Sequence, residues 1–101
     1  MRDMTYVLTS TDTFDSWFKA LKNKPTKNRI LARLARIEVG NFGDFKDLKQ
    51  GLYELRFVFG SGLRVYYTIQ NQTVVLLVSG GDKSSQQKDI IKARQLIEQE
   101  N

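Results

Sequence analysis

The stretch GLYELRFVFGSGLRVYYTIQNQTVVLLVSGGDKSSQQKD, residues 51–89, decides the fold. Over residues 52–59 the odd positions Tyr53, Leu55, Phe57 and Phe59 are apolar, while Glu54 and Arg56 point the other way. Over residues 63–69 the apolar set is Leu63, Val65, Tyr67 and Ile69, opposed by Arg64, Tyr66 and Thr68. Alternation of this kind marks strands with one face on a core. Gly60-Ser61-Gly62 lies between them as a hairpin turn. Keeping both apolar sets on one face requires paired residue numbers to sum to an even value. A three-residue loop that sets Phe59 opposite Leu63 meets that condition. It places Arg56 opposite Tyr66, Val58 opposite Arg64 and Glu54 opposite Thr68. Residues 73–79, TVVLLVS, are apolar on both faces and read as a central strand. Gly80-Gly81-Asp82-Lys83 then reads as a turn. Ser84 and Gln87 have capping-box spacing for a last helix over 85–99, with Ile90, Ala93 and Ile97 on its buried side.

Toward the N-terminus, residues 4–9 (MTYVLT) suit a first strand. Thr11 or Asp12 caps a helix to about Lys22, with Phe14, Trp17, Phe18 and Leu21 at helical spacing; Trp17 and Phe18 are read as core. Pro25 opens a second helix, on which Ile30, Leu31, Leu34 and Ile37 form one apolar stripe. The short connection makes the two helices an antiparallel hairpin. Gly40 or Asn41 ends the second helix, and residues 41–51 read as a loop. The expected architecture is α+β: an N-terminal strand, a helical hairpin, a three-stranded antiparallel meander and a C-terminal helix, in one domain over 1–101.

The chain has 101 residues, 41% of them hydrophobic and 27% charged, which is enough for one moderate core. No apolar run approaches the roughly 20 residues of a membrane span, and MRDMTYVLTSTD lacks the apolar centre of a signal peptide, so a soluble cytoplasmic protein without a membrane partner is expected. Cysteine and histidine are both absent. Disulfides and thiolate metal sites are therefore excluded, and so are the commonest general acid/base and transition-metal ligand. No metal or other cofactor is expected. Catalysis at neutral pH would fall to carboxylates, Lys, Arg, Tyr or backbone groups.

The formal net charge is +5. Its distribution is uneven: Lys19, Lys22, Lys24, Lys27, Arg29, Arg33 and Arg36 follow one another with no acid between Asp15 and Glu38. Such a run attracts a polyanion, either nucleic acid or an acidic protein segment; its plain alternative is a solvated helix face. On the polar side of the meander, Arg56, Arg64, Tyr66 and Lys83 stand among apolar and small residues as a phosphate-handling surface. Arginine suits that task because its planar fork matches two phosphate oxygens. Glu54 is the one carboxylate expected on the same face, hence the candidate base. Its plain alternative is an exposed Glu54–Arg56 sheet pair. Tyr66 is a candidate for stacking on a base or for proton transfer.

The segments RLARIEVGNFGDFKDL, GLYELRF, GLRVYY and GGDKSSQQKDI, in that order after a Trp-containing first helix, resemble the RelE/ParE superfamily of bacterial toxins, and most closely its HigB-like branch of addiction-module killer proteins. The resemblance runs from Tyr6 to Leu96. It implies a toxin neutralised by an antitoxin encoded beside it, a helix-turn-helix protein through which alone operator DNA would be bound. It also implies metal-free cleavage of messenger RNA on the ribosome. By similarity the basic site positions fall on Arg56, Arg64 and Lys83. The basic run, with Lys22, Lys24, Lys27, Arg29, Arg33 and Arg36, is on its charge the expected RNA-binding surface. Two departures stand out. The first of two basic residues that relatives often carry on the second strand is Glu54 here. The last helix offers Gln86, Lys88 and Asp89 where some relatives place a tyrosine or histidine. A ParE-like gyrase poison and a non-catalytic antitoxin-binding module are the rival readings.

Overall fold

The computed structural model describes residues 5–100. Elements run β1 (Val7–Ser10), α1 (Asp12–Ala20), α2 (Lys24–Ile37), β2 (Phe45–Asp47), β3 (Tyr53–Arg56), β4 (Arg64–Gln70), β5 (Val74–Gly81), a 3-10 turn (Lys83–Ser85) and α3 (Gln86–Glu100). The strands form one sheet in the order β1-β5-β4-β3-β2; β1 lies parallel to β5 and the rest are antiparallel. Met4, expected in the first strand, lies outside the described residues. The chain is α+β as expected, with one more strand: β2 pairs Phe45–Asp47 with Tyr53–Leu55 inside the segment read as a loop. Three residues are too short to show a period.

Each face of the sheet carries a core. On one face, Phe14, Ile30, Leu34 and Ile37 of α1 and α2 pack with Leu55, Phe57, Leu63, Val65, Tyr67, Val75 and Leu77. These include the odd-numbered apolar sets of β3 and β4, as the alternation requires. Leu31 falls off the buried stripe and is half exposed. On the other face, Ala93 of α3 packs with Leu52, Tyr66, Leu76 and Val78, flanked by Ile90, Leu96 and Ile97. The face read as open is thus covered by α3, because Ile90, Ala93 and Ile97 have no other apolar surface to meet.

Local chemistry sets the boundaries. Thr11 caps α1 by accepting from the Phe14 N–H (3.0 Å), and Asn23 caps α2 from the Thr26 N–H (3.0 Å). Asn71 and Gln72 both take positive φ in the three-residue turn, residues 71–73, that joins β4 to β5 where Gln70 pairs with Val74. The β3–β4 register differs from expectation. Tyr53, Glu54, Leu55 and Arg56 pair with Tyr67, Tyr66, Val65 and Arg64. Parity is kept, yet every pair slips by two residues, and the loop grows to residues 58–62. The ladder ends where the Phe57 N–H donates to the Leu63 carbonyl (3.0 Å). Beyond that point Gly60 and Gly62 take positive φ, and the Ser61 carbonyl accepts from the Lys83 N–H (3.3 Å). Five residues are needed for the loop tip to reach the β5–α3 connection.

Gly80 and Gly81 are strand residues rather than a turn. They pair with Val65 and Arg64. Between Tyr66↔Ser79 and Tyr67↔Leu77 one residue, Val78, is left over as a β-bulge. Its carbonyl accepts from the Thr11 hydroxyl (2.6 Å). The bulge re-phases the end of β5. Gly80 lies against the Trp17 ring, where a Cβ would meet the indole carbons, and Gly81 faces α3. Asp82, with its side chain accepting from Ser84 N–H (3.0 Å), replaces the expected Ser84–Gln87 box as the cap after β5.

Candidate functional site

Strand pairing sets two rows of side chains under the start of α3. One row is Glu54, Tyr66 and Ser79; the next is Arg56, Arg64 and Gly81. Like charges directly opposite one another repel, so the Arg56–Arg64 pair needs a counter-charge. Glu54 supplies it. Its Oε1 lies 3.6 Å from Arg56 Nε and its Oε2 3.4 Å from Arg64 Nε. The side chain is 0% exposed, and Gln86 Nε2 donates to Oε2 (2.8 Å). Arg64, 11% exposed, also donates from Nη1 to the Gly62 carbonyl (2.7 Å). Arg56 is 41% exposed. Lys83 is exposed and stands beside Arg64 across Gly62: a Cβ on Gly62 would lie 3.3 Å from both Arg64 Nη1 and Lys83 Cβ.

The structure therefore gathers Glu54, Arg56, Arg64, Tyr66 and Lys83 at one end of the sheet, although it changes the setting of two of them. Glu54 is not half of an exposed sheet pair; it is buried beneath two guanidinium groups. Tyr66 is also wholly buried, under α3, so its ring offers no face to a nucleobase. Its hydroxyl is buried without a hydrogen-bond partner, as are Glu54 Oε1, Arg64 Nε and Ser79 Oγ. Burial, reinforced by the Glu54 and Asp89 carboxylates, pushes the Tyr66 phenol well above the ordinary tyrosine value, so it stays protonated at neutral pH.

Three contributors lie at the start of α3 and in the 3-10 turn before it. Gln86 anchors Glu54. The Ser85 hydroxyl donates to Asp89 Oδ2 (2.6 Å). Together these two occupy the space a Cβ on Gly81 would need, with Ser85 Oγ only 3.0 Å from that point. The one sequence signal for the pair is their separation of four on a helix. In front of it, residues Lys83–Lys88 line an open depression of about 490 Å³. The polar arrangement is a cationic rim over a buried carboxylate, suited to holding a phosphodiester and stabilising added negative charge on it.

The basic run divides. Arg33 is a brace. Its Nη1 donates to the Arg56 carbonyl (2.9 Å), its Nη2 to the Phe42 and Asp44 carbonyls (both 3.1 Å), and its guanidinium lies 4.6 Å from the Phe57 ring centre. Burial lowers its pKa from the ordinary arginine value. Lys27 lies over the Phe18 ring and donates to the Lys19 carbonyl (3.3 Å). Arg29 lies 4.9 Å from the Phe59 ring centre. Lys22, Lys24 and Arg36 are exposed. Arg29, Arg33 and Arg36 line a groove that Arg56 closes, whereas Lys22 lies beside Gly60 and Ser61 in a separate depression.

Among the described residues no helix is long and apolar enough to cross a membrane, and no cluster of three or more acidic residues is placed to hold a metal ion. Comparison with solved structures finds an arginine-to-alanine double mutant of Escherichia coli toxin RelE in the free state, with TM-score 0.67 and 18% identity over 85% of this chain and 93% of that one. The intact E. coli RelBE toxin–antitoxin complex matches with TM-score 0.62 and 16% identity, over 76% of this chain and 95% of that one. A RelBE-type toxin–antitoxin complex of Mycobacterium tuberculosis matches with TM-score 0.53 and 21% identity, over 79% and 100%. An uncharacterized protein of Haemophilus influenzae strain Rd is 48% identical over 96 residues, 95% of this chain and 97% of that protein. The family model described as phage-derived protein Gp49-like (DUF891) matches residues 16–99. The chain has the RelE fold, and it belongs to the Gp49-like family of phage-derived proteins.

Proposed function

We propose that the chain is the toxin of a type II toxin–antitoxin pair, HigB-like within the RelE/ParE superfamily, and that it cleaves messenger RNA on the ribosome without a metal. The observation that carries this reading is the convergence of Arg56, Arg64 and Lys83 at one end of the sheet over the buried Glu54 carboxylate. The RelE fold supports it, since the solved relatives with that fold are toxins and toxin–antitoxin complexes.

The chemistry is a transesterification. The 2′-oxygen bonds to phosphorus, the bond from phosphorus to the 5′-oxygen breaks, and the 2′-hydroxyl proton leaves as a proton is delivered to the 5′-oxygen. Arg64 and Arg56 stabilise the charge of the phosphorane, and Lys83, exposed beside Arg64, contacts the phosphate or delivers the proton. Glu54 fixes both guanidiniums in place before substrate arrives. Its full burial favours this role over that of the base, because a 2′-hydroxyl would have to pass the two arginines to reach it. Tyr66 supports the cluster from below. The partners are the translating ribosome with its message and a cognate antitoxin, in the cytoplasm.

The test is primer extension on a message translated by purified ribosomes with and without the purified chain. New 5′ ends inside the translated region are expected, and they should disappear with the neighbouring antitoxin present and with Lys83→Ala. Intact message together with gyrase-trapped DNA breaks in expressing cells would make the chain a gyrase poison. Intact message with normal growth would leave only an antitoxin-binding module.

A further inference from the structure

A groove of about 330 Å³ lies between α2 and the β3–β4 loop, lined by Arg29, Ala32, Arg33, Arg36, Asp44, Arg56 and residues 57–59. It lies apart from the residues under α3, but Arg56 belongs to both: its side chain meets Glu54 on one side and lines this groove on the other. Four arginines stand against one acid. Val58, on the same lining, is 95% exposed and so offers its whole side chain to whatever enters the groove. Two of the guanidiniums already lie over aromatic rings, Arg29 over Phe59 and Arg33 over Phe57. A flat guanidinium backed by a ring is a stacking platform for a nucleobase. Among the described residues the Arg36 side chain makes no hydrogen bond or ion pair, so its charge is free for a phosphate.

We infer that this groove is a subsite for one nucleotide of single-stranded RNA next to the scissile phosphate, with the base stacked on the Arg29 plane against Val58 and the phosphate on Arg36. This rests on the reading of the chain as an RNA-cleaving toxin and extends it by a second nucleotide position. Size favours a nucleotide over a protein helix, which docks along a row of anchors spaced over two turns rather than into one short groove. Continuity through Arg56 favours substrate, since one guanidinium can then touch the phosphates on both sides of a single ribose.

The experiment measures fluorescence anisotropy of a fluorescein-labelled hexamer of 2′-O-methyluridine, which cannot be cleaved because its 2′-oxygen is blocked. Arg36→Ala and Val58→Asp each weaken binding about tenfold, the scale of losing one stacked base or its phosphate contact. Arg36→Ala also lowers the dependence of log affinity on log salt by about 0.7. Both residues are exposed, so circular dichroism should remain native. Lys92→Ala removes the same unit charge from an exposed position on α3 and leaves affinity within about twofold of wild type. In the ribosome assay the groove variants raise KM and spare kcat, or change which codon is cut. Groove variants that bind the hexamer like wild type, or no worse than Lys92→Ala, overturn the proposal even when the wild-type chain cleaves message. Groove variants that bind the hexamer normally but lose the antitoxin make the groove a protein-docking site and overturn it as well. A wild-type chain that binds through the groove but cuts no message sinks the nuclease reading and leaves the groove standing.

Discussion

Glu54→Gln separates a carboxylate that holds the site together from one that takes part in the reaction. The substitution keeps volume and an acceptor for Gln86 but removes the charge 3.4 Å from Arg64 Nε and 3.6 Å from Arg56 Nε. At an effective dielectric constant of about 20, each contact is worth roughly 4–5 kcal/mol of gross Coulomb attraction. Much of this is offset by the cost of desolvating the ions, so breaking a buried pair by removing one partner costs about 3–5 kcal/mol net. Two features lower that figure here. Arg56 is 41% exposed and rehydrates once released, and the amide oxygen still accepts a hydrogen bond. About 2–3 kcal/mol remains, mostly from Arg64, which is 11% exposed and faces Arg56 across the strands. For a domain of this size that lowers the Tm by about 10–20 °C. The assay is thermal unfolding followed by circular dichroism, paired with single-turnover cleavage on programmed ribosomes well below the new Tm. A positioning role gives the full Tm drop with a partial loss of rate, and Glu54→Asp, which restores the charge, recovers part of both. A Tm within about 3 °C of wild type would refute the idea that the carboxylate supports the two arginines. An unchanged Tm with cleavage abolished would return Glu54 to the role of base.

Further outcomes follow from other contacts. Tyr66→Phe removes a buried hydroxyl that has no partner, so stability at pH 7 should be unchanged or higher; a loss above about 1 kcal/mol would mean that the hydroxyl is hydrogen-bonded after all. Burial raises the folded-state pKa of both Tyr66 and Tyr67, so the folded chain holds protons that the unfolded chain releases. Their contribution is complete below about pH 10, the unfolded value, and is lost as pH rises above it, a decline that denaturant titrations should show as smaller in Tyr66→Phe. Gly80→Ala drives a Cβ into the Trp17 indole and should cost at least the roughly 1–3 kcal/mol of overpacking, read as a lower denaturant midpoint with altered tryptophan fluorescence. Lys83→Ala should cut the rate by about 10²–10³ at unchanged Tm, since an exposed cation supports chemistry more than folding; a chelator in the same assay should leave the wild-type rate unchanged.

Alternation along residues 52–59 and 63–69 determined which side chains share a face, and it did so without any tertiary information, because strand periodicity is a property of the backbone. The same holds for the helix starts marked by Thr11 and Pro25 and for the even parity of the β3–β4 pairing, which survived a change of register. Register itself was not legible. Parity allows any slip of two, and the choice was made by a contact from a distant part of the chain, the Lys83 N–H on the Ser61 carbonyl, with the local bond of Arg64 to the Gly62 carbonyl. That slip replaced the expected Arg56–Tyr66 pairing with Arg56 against Arg64 and Glu54 against Tyr66. The β2 strand was hidden for a related reason, since three residues carry no period and its pairing depends on β3 being present. Alternation also cannot say which face meets water. Glu54 and Tyr66 lie on the polar side of the pattern, yet α3 covers both, because the apolar stripe of a helix some thirty residues away has to be buried there. The cationic cluster could thus be named from sequence by residue type and face, whereas its buried carboxylate, its Gln86 anchor and the space kept by Gly81 were decided only when α3 packed onto the sheet.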